Sequence, residues 1–221
     1  MVEQLKAIEL ETRPQPSHAV IWMHGLGADG SDFVPIVREL KLPQLGIRFI
    51  FPHAPMRAVT INGGFVMRAW YDILGQDLAR QEDERGIRES GDLVDQLIDK
   101  EIGRGIPANR IVLAGFSQGG VMTLQTGLRY PKRLAGLLAL SCYLPLATTL
   151  ENERSAANQD VPIFLGHGTA DDIVPLQRGL AARDALTKLG FKPEWHQYPM
   201  PHSVHPDEIA DIGAWFQRTL L

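Results

Sequence analysis

The residues with the clearest chemical potential surround one serine. Gly115, Ser117 and Gly119 form the pattern G-x-S-x-G, which follows an apolar run at 111–114 and precedes a helix-like stretch at 121–128. A serine on a sharp turn from a strand into a helix projects its hydroxyl, and so tight a turn leaves room only for small flanking residues. We therefore predict that Ser117 is a nucleophile for a carbonyl carbon.

A serine hydroxyl needs a base to take its proton near neutral pH, and that base needs an orienting acid. Asp171 and Asp172 follow an apolar run at 161–165, and His202 follows a more polar strand at 194–198. Side chains at the carboxyl ends of parallel strands meet at one edge of the sheet, where Ser117 is also expected. His202 is therefore the predicted base, and either aspartate can serve as its acid.

The remaining histidines fit structural roles better. His205 competes with His202, but it directly precedes a proline at the start of the last predicted helix, where its backbone is extended. A metal pair formed by these two histidines lacks a third ligand, so no metal site is predicted. We interpret His24, His53 and His167 as hydrogen-bonded structural groups.

Acyl transfer also requires two backbone donors for the developing oxyanion. One is expected from the N–H of Gln118, the residue after the nucleophile. The other is expected from Leu26, in the glycine-containing loop at 24–27 that follows the first predicted strand. The glycines of that loop allow its backbone to pass close to a substrate.

A second glycine pattern points to a different class of protein. Residues 25–30 fit G-x-G-x-x-G after a strand, as in dinucleotide-binding folds. Such a site also needs an acid about 20 residues on, at the end of the next strand. The segment 49–52 contains none. A nicotinamide-dependent oxidoreductase is therefore the weaker alternative, and no cofactor is predicted.

Strands and helices alternate along the chain. Continuous apolar runs are typical of strands covered on both faces, and their alternation with amphipathic helices predicts a mostly parallel central sheet with helices on both faces. The predicted strands span 19–23, 47–51, 110–114, 134–140, 161–165 and 194–198, and the first helix is predicted at 32–40.

The stretch 52–84 interrupts this alternation. It lacks a periodic element, but Phe65, Trp70, Tyr71 and Leu74 make it too apolar for disorder. We interpret it as an ordered loop that forms a wall of the binding site, with a simple cover over the core as the alternative.

Composition favours one soluble α/β domain over residues 1–221. The net charge is −4 and no basic stripe is present, so nucleic acid is not an expected partner. Cys142 is the only cysteine, and neither a secretory signal nor an apolar run of about 20 residues appears. We expect a cytoplasmic protein without stable membrane insertion.

With these motifs in place, the chain resembles the carboxylesterase and acyl-protein thioesterase family of small α/β-hydrolases over about residues 18–218, and especially its bacterial carboxylesterases. The segments that carry the resemblance are 22–30, 51–55, 69–72, 81–84, 115–120 and those around Asp171 and His202.

The resemblance implies an α/β-hydrolase fold without a large lid domain and a cofactor-free enzyme. It implies Asp171 as the acid and Leu26 and Gln118 as the oxyanion donors. It also implies an acyl pocket built from the loop that contains Trp70 and Leu74, and Phe116 beside the nucleophile is added to the predicted pocket.

The predicted function is a serine carboxylesterase that acts on small esters of short to medium acyl chains through an acyl-enzyme. An acyl-protein thioesterase or lysophospholipase of the same family is the alternative, and a binding module with a disused hydrolase site is the non-enzymatic one. A homodimer is left open.

The acidic run Gln81–Glu84 is interpreted as a solvated helix start. Pro201 departs from the family, which usually has glycine immediately before the catalytic histidine.

Overall fold

The structure is a computed structural model that describes residues 5–42, 45–75 and 82–221. Gln81, at the start of the acidic run, lies outside the described residues. None of the described helices is long and apolar enough to cross a membrane.

Nine strands are found in the described residues. They are β1 (Ala7–Glu11), β2 (His18–Met23), β3 (Ile47–Pro52), β4 (Met56–Val59), β5 (Phe65–Arg68), β6 (Ile111–Phe116), β7 (Gly136–Leu140), β8 (Ile163–Gly168) and β9 (Pro193–Tyr198). Seven form the central sheet in the order β1-β3-β2-β6-β7-β8-β9, and β4 and β5 form a separate antiparallel hairpin. Only β1 runs antiparallel to its neighbour in the central sheet, which confirms the predicted mostly parallel arrangement.

Helices connect the strands and cover the sheet. They are α1 (Ile36–Glu39), α2 (Glu84–Gly103), α3 (Gln118–Gly127), α4 (Ala147–Glu153), α5 (Leu176–Lys188) and α6 (Pro206–Leu220). Two of them begin at side-chain caps, since Asp83 accepts the N–H of Gly86 at the start of α2 and His205 accepts the N–H of Asp207 at the start of α6. Such caps satisfy N–H groups that the first turn of a helix leaves without a partner.

Two apolar cores lie on opposite faces of the sheet. Successive side chains of a strand point to opposite faces. Accordingly, Ala19, Ile21 and Met23 of β2 pack in a core with α2, α3 and α5, whereas Val20 and Trp22 pack in another with α1 and α6. This arrangement confirms the prediction of helices on both faces, and it leaves the carboxyl ends of the parallel strands to form the site.

The first predicted helix is shorter than the sequence indicates. The prediction placed it at 32–40, but α1 begins only at Ile36. Before it, Asp32 and Val34 donate to the carbonyls three residues earlier, so this part of the chain forms consecutive turns. The side chain of Asp29 starts these turns by accepting the N–H and hydroxyl of Ser31, an alternative to helix that aspartate side chains favour.

The interpretation of 52–84 as an ordered segment agrees with the structure over the described residues, but 56–59 and 65–68 form the strands β4 and β5, where the sequence predicts no regular element. The hairpin β4–β5 presents exposed apolar side chains, with Phe65 68% and Met56 59% exposed. Thr60, at the turn of the hairpin, bonds to the Asp72 carboxylate through both its N–H and its hydroxyl. The hairpin is thereby tied to the segment 70–75, which lies beside the predicted site.

A buried carboxyl group lies beneath the edge of the sheet that carries the site. Glu208, in the first turn of α6, is fully buried, and its Oε1 is so close to Gly166 of β8 that a Cβ there would lie 2.3 Å away. Burial raises the pKa of Glu208 to about 8, although the backbone N–H of His205 opposes the shift. The folded protein therefore holds a proton that the unfolded chain releases near its ordinary pKa of about 4.3.

This group gives stability a defined pH dependence. Between about pH 4.5 and 8 the folded state binds more protons at this site than the unfolded state, so the free energy of unfolding falls as pH rises. We expect Glu208→Gln to remove this contribution, which is on the order of 3 kcal/mol between pH 5 and 8. Urea melts of both proteins across that range measure it. Glu151→Gln, at an exposed position on α4, is the control, and equal pH slopes for wild type and Glu208→Gln would refute the expectation.

Candidate active site

The predicted nucleophile occupies a strained turn between β6 and α3. Ser117 has φ 55° and ψ −119°, a conformation that is costly for a residue with a side chain. A Cβ on Gly115 would lie 2.2 Å from the carbonyl of Gly119, and one on Gly119 would lie 2.1 Å from the carbonyl oxygen of Met23. Both flanking positions therefore require glycine, as the sequence pattern predicts.

The predicted acid and base form a direct hydrogen bond. Asp171 follows β8, His202 follows β9, and His202 Nδ1 donates to Asp171 Oδ2 over 2.7 Å. The other carboxylate oxygen, Oδ1, accepts the backbone N–H groups of Ile173 and Val174 over 3.0 and 2.8 Å. The buried carboxylate is thus fixed from both sides, which leaves Nε2 of His202 as the nitrogen able to accept a proton.

Asp172 lies in a different environment from Asp171. Its side chain is exposed at the rim of a cavity that Ser117 also lines. Among the histidines, His205 caps α6, with its Nδ1 accepting the N–H of Asp207 over 3.2 Å. Neither Asp172 nor His205 takes the place of Asp171 or His202 in the hydrogen-bonded pair.

Ser117 and His202 lie at the same sheet edge, where His202 contacts the residue before the serine. The ring of Phe116, the residue before Ser117, lies 4.7 Å from the ring of His202, measured between centroids. Ser117 N–H donates to the carbonyl of Leu140, which ends the adjacent strand β7. The structure therefore brings together the three residues that the sequence placed at the carboxyl ends of separate strands.

The two predicted oxyanion donors border one cavity together with Ser117. The N–H of Gln118 is the first in α3, where no carbonyl within the helix can accept it. Leu26 lies in the loop after β2, which passes so close to the serine that a Cβ on Gly25 would be 3.3 Å from Ser117 Cβ. Within the described part of the chain, neither N–H donates to a backbone carbonyl. Two backbone donors are thus available beside the nucleophile.

Buried side chains hold the oxyanion loop in place. His24 Nδ1 donates to the carbonyl of Gly25 over 2.7 Å, and its Nε2 accepts the N–H of Ala54 over 3.1 Å. Burial lowers the pKa of His24, so the ring stays neutral and both bonds persist near neutral pH. Trp70 Nε1–H donates to the carbonyl of His24 over 2.9 Å. This loop is therefore anchored to two distant segments of the chain.

The side chain of Gln118 has a supporting role that the motif does not reveal. Its Oε1 accepts the N–H of Trp70, and its Nε2 donates to the carbonyl of Tyr71, both over 3.0 Å. The nucleophile turn is thereby clamped to the segment 70–71. Only the three-dimensional structure shows this pair of contacts, which joins residues 47 and 48 positions apart.

A cavity of 640 Å³ opens beside Ser117. This size is typical of small-molecule sites, and most of the lining is apolar. The cavity is lined by Leu26, Ile61, Asn62, Tyr71, Ile73, Gly75, Ser117, Gln118, Tyr143, Asp172, Ile173, Val174, Pro175 and Arg178.

Two of the three predicted pocket residues, Trp70 and Leu74, do not line this cavity, and this corrects the prediction. Trp70 is fully buried behind the cavity and supports the oxyanion loop, while Leu74 is exposed. Tyr71 and Ile73 line the cavity instead, because alternate residues of an extended segment face opposite sides. Phe116 lines a second cleft of 340 Å³, which also reaches His202.

Comparison with known proteins now identifies the family. The phospholipase/carboxylesterase family matches residues 5–220. The chain belongs to this family. It is 37% identical to acyl-protein thioesterase 1 of Yarrowia lipolytica over 222 residues, which cover 97% of each chain. It is 36% identical to the acyl-protein thioesterase 1 of Cryptococcus neoformans, over the full length of both.

Solved structures of related proteins agree with this assignment. SOBER1 of Arabidopsis thaliana superposes with a TM-score of 0.88 at 33% identity, covering 92% of this chain and 99% of that one. Esterase PE8 superposes with a TM-score of 0.85 at 25% identity, covering 99% and 100%. The chain is therefore an enzyme with the α/β-hydrolase fold that hydrolyses esters or thioesters, which confirms the predicted family, fold and enzyme class.

The oxidoreductase alternative is wrong, and the structure explains the glycine pattern that suggested it. The segment 25–30 does not open a helix, since α1 begins at Ile36. A Cβ on Gly30 would lie 2.4 Å from the carbonyl oxygen of Phe51, so this glycine allows the loop to pack against the end of β3.

Among the described residues, no group of three or more His, Cys, Asp or Glu could hold a metal ion.

Pro201 occupies a backbone that suits proline. No residue from 200 to 205 has a positive φ, and the carbonyl of Pro201 accepts the N–H of Ser203 over 2.8 Å. We expect Pro201→Gly to lower the free energy of unfolding by up to about 1 kcal/mol, because glycine raises the entropy of the unfolded chain. Turnover should fall a few-fold, since His202 is held less firmly.

Denaturant melts and kcat on one activated ester measure both effects. Pro107→Gly, in an exposed turn far from the site, is the matched control that should lose stability alone. A Pro201→Gly variant that is more stable and more active than wild type would show that proline strains the loop.

Proposed function

We propose that this enzyme is a serine carboxylesterase, with Ser117 as nucleophile, His202 as base and Asp171 as the acid that orients it. The observation that carries the proposal is the 2.7 Å bond between His202 Nδ1 and Asp171 at the sheet edge that also holds the strained Ser117 turn. That bond fixes the histidine tautomer that a serine nucleophile requires.

The chemistry follows from these positions. Ser117 Oγ attacks the ester carbonyl carbon while Nε2 of His202 takes its proton. The N–H groups of Leu26 and Gln118 bind the oxyanion of the tetrahedral intermediate. His202 then protonates the departing alcohol or thiol, which leaves an acyl-serine. Water attacks that acyl group by the same route and restores the free enzyme.

The two cavities suggest where each half of the substrate binds. The acyl group is assigned to the 640 Å³ cavity, which Ser117 and the oxyanion donors border. The leaving group is assigned to the 340 Å³ cleft, because His202, its proton donor, lies there with Phe116. The volume of the first cavity accommodates a short to medium acyl chain.

Acyl-protein thioesterase activity is the second candidate function. The full-length similarity to two proteins of that name favours it. The leaving-group cleft also favours it, since exposed Asp32 and Glu39 at its edge leave that side open to a large leaving group.

A matched panel of esters and thioesters separates the two functions. Butanoyl, octanoyl and hexadecanoyl groups are each joined to the same alcohol and to its thiol analogue, and kcat/KM is measured for all six. The carboxylesterase proposal expects faster hydrolysis of the two shorter esters than of the hexadecanoyl compounds. Faster hydrolysis of the hexadecanoyl thioester would favour the second candidate. A fluorophosphonate adduct located by mass spectrometry on any residue other than Ser117 would overturn the assigned nucleophile.

A further inference from the structure

Two tyrosines place a hydroxyl pair in the wall of the acyl cavity. Tyr71 and Tyr143 are both buried, both line the cavity with Ser117, and their hydroxyl oxygens are hydrogen-bonded over 3.0 Å. They come from different parts of the fold, since Tyr71 follows the hairpin and Tyr143 follows β7. The mechanism proposed above does not use either hydroxyl.

The two hydroxyl groups together have two O–H donors, and the hydrogen bond between them uses only one. Burial raises the pKa of both phenols, so both remain protonated near neutral pH. Tyr143 donates to Tyr71, and no residue in the described ranges accepts the second hydrogen. If the hydroxyls rotate so that Tyr71 donates to Tyr143 instead, the O–H of Tyr143 is the one left without an acceptor, because each phenol has a single O–H. The cavity therefore offers one hydroxyl donor in an otherwise largely apolar wall.

A saturated acyl chain cannot use this donor. Filling the cavity with methylene groups removes water from the hydroxyl and gives it no acceptor, and such burial is unfavourable. An acyl group with an oxygen at the matching position restores the bond. The nearby charges do not favour an anionic oxygen. The Glu82 carboxylate raises the pKa of both phenols, and of the charged residues that line the cavity, Asp172 is acidic and Arg178, which lowers the pKa of Tyr143, is basic.

We propose that the Tyr71–Tyr143 pair is a specificity subsite for a neutral oxygen on the acyl chain, so that oxo- or hydroxyacyl esters are preferred substrates over the corresponding saturated esters. The inference rests on the proposed function, because it assigns the 640 Å³ cavity to the acyl group. It names a substrate class that this serine hydrolase would select.

The test uses octanoyl esters of one alcohol, either saturated or with a single ketone at the fourth, fifth, sixth or seventh carbon. The measured quantity is the ratio of kcat/KM for each oxo ester to that for the saturated ester. Comparing this ratio between wild type and the double variant Tyr71→Phe/Tyr143→Phe, which has neither hydroxyl, cancels the intrinsic reactivity of the esters. For at least one position of the ketone, the ratio should fall about five- to tenfold in the double variant, as expected for the loss of one hydrogen bond.

Further variants complete the design. Tyr71→Phe or Tyr143→Phe alone keeps one hydroxyl that can donate into the cavity, so each should lower the ratio less than the double variant does. Tyr130→Phe removes a buried hydroxyl that bonds Asp99, away from the cavity, and should leave the ratio at the wild-type value. Hydrolysis of the saturated ester with a ratio that stays unchanged in the double variant would overturn this inference alone. Failure of wild type to hydrolyse the saturated ester would overturn the proposed function instead.

Discussion

Ser117→Ala is expected to lower kcat for ester hydrolysis by a factor on the order of 10⁶, the loss seen when other serine hydrolases lose their nucleophile. The reason is chemical, because no other group at the turn can form the acyl-enzyme. The Asp171–His202 bond does not involve the serine hydroxyl, so the base should stay in place. Alanine has nearly the same steric demand at φ 55° as serine, so the fold should be retained.

Steady-state kinetics on one activated ester, with thermal melts of the same preparations, test this expectation. Ser17→Ala, at an exposed position where the hydroxyl contacts only the ring of His18, is the matched control and should keep full turnover. Residual activity above about a tenth of wild type, in protein free of wild-type contamination, would show that Ser117 is not the nucleophile.

The parts of the site that depend on local chemistry could be predicted from the sequence. The turn at Ser117 is specified by the glycines two residues before and after it, because a Cβ at either position would collide with backbone atoms. Positions after strands predict His202 and the pair Asp171 and Asp172, because parallel topology brings such positions together. The choice of Asp171 comes from the family resemblance. In each case the prediction uses residues that lie within one short segment of the sequence.

The contacts that support the site could not be predicted, because they join distant segments. Gln118 appears in the motif only as a variable position, yet its side chain holds the backbone at residues 70 and 71. The predicted pocket residue Trp70 instead donates to the carbonyl of His24. These bonds determine which side of the segment 70–75 faces the cavity, and they cannot be predicted from a single sequence.

Strand β1 and helix α4 are absent from the prediction for a related reason. Strand β1 alternates polar and apolar residues at the sheet edge and pairs antiparallel with β3, so it lacks the continuous apolar run used to recognise strands. Helix α4 buries only Leu150 and is too short to show an apolar stripe. Both elements form through tertiary contacts, and their local sequences contain little of the pattern by which strands and helices are predicted.

The final prediction separates the two adjacent aspartates. In Asp171→Asn, the amide oxygen can still accept from Ile173 and Val174, which turns the amide nitrogen toward Nδ1 of His202. Two donors then face each other unless the ring moves its hydrogen to Nε2, the atom that must accept the serine proton. We therefore expect kcat to fall by about 10⁴, as in another serine hydrolase with this change. Asp172→Asn, at the exposed rim, should cost a few-fold at most. Kinetics on one ester compare the two, and equal losses, or a larger loss at Asp172, would move the acid by one residue.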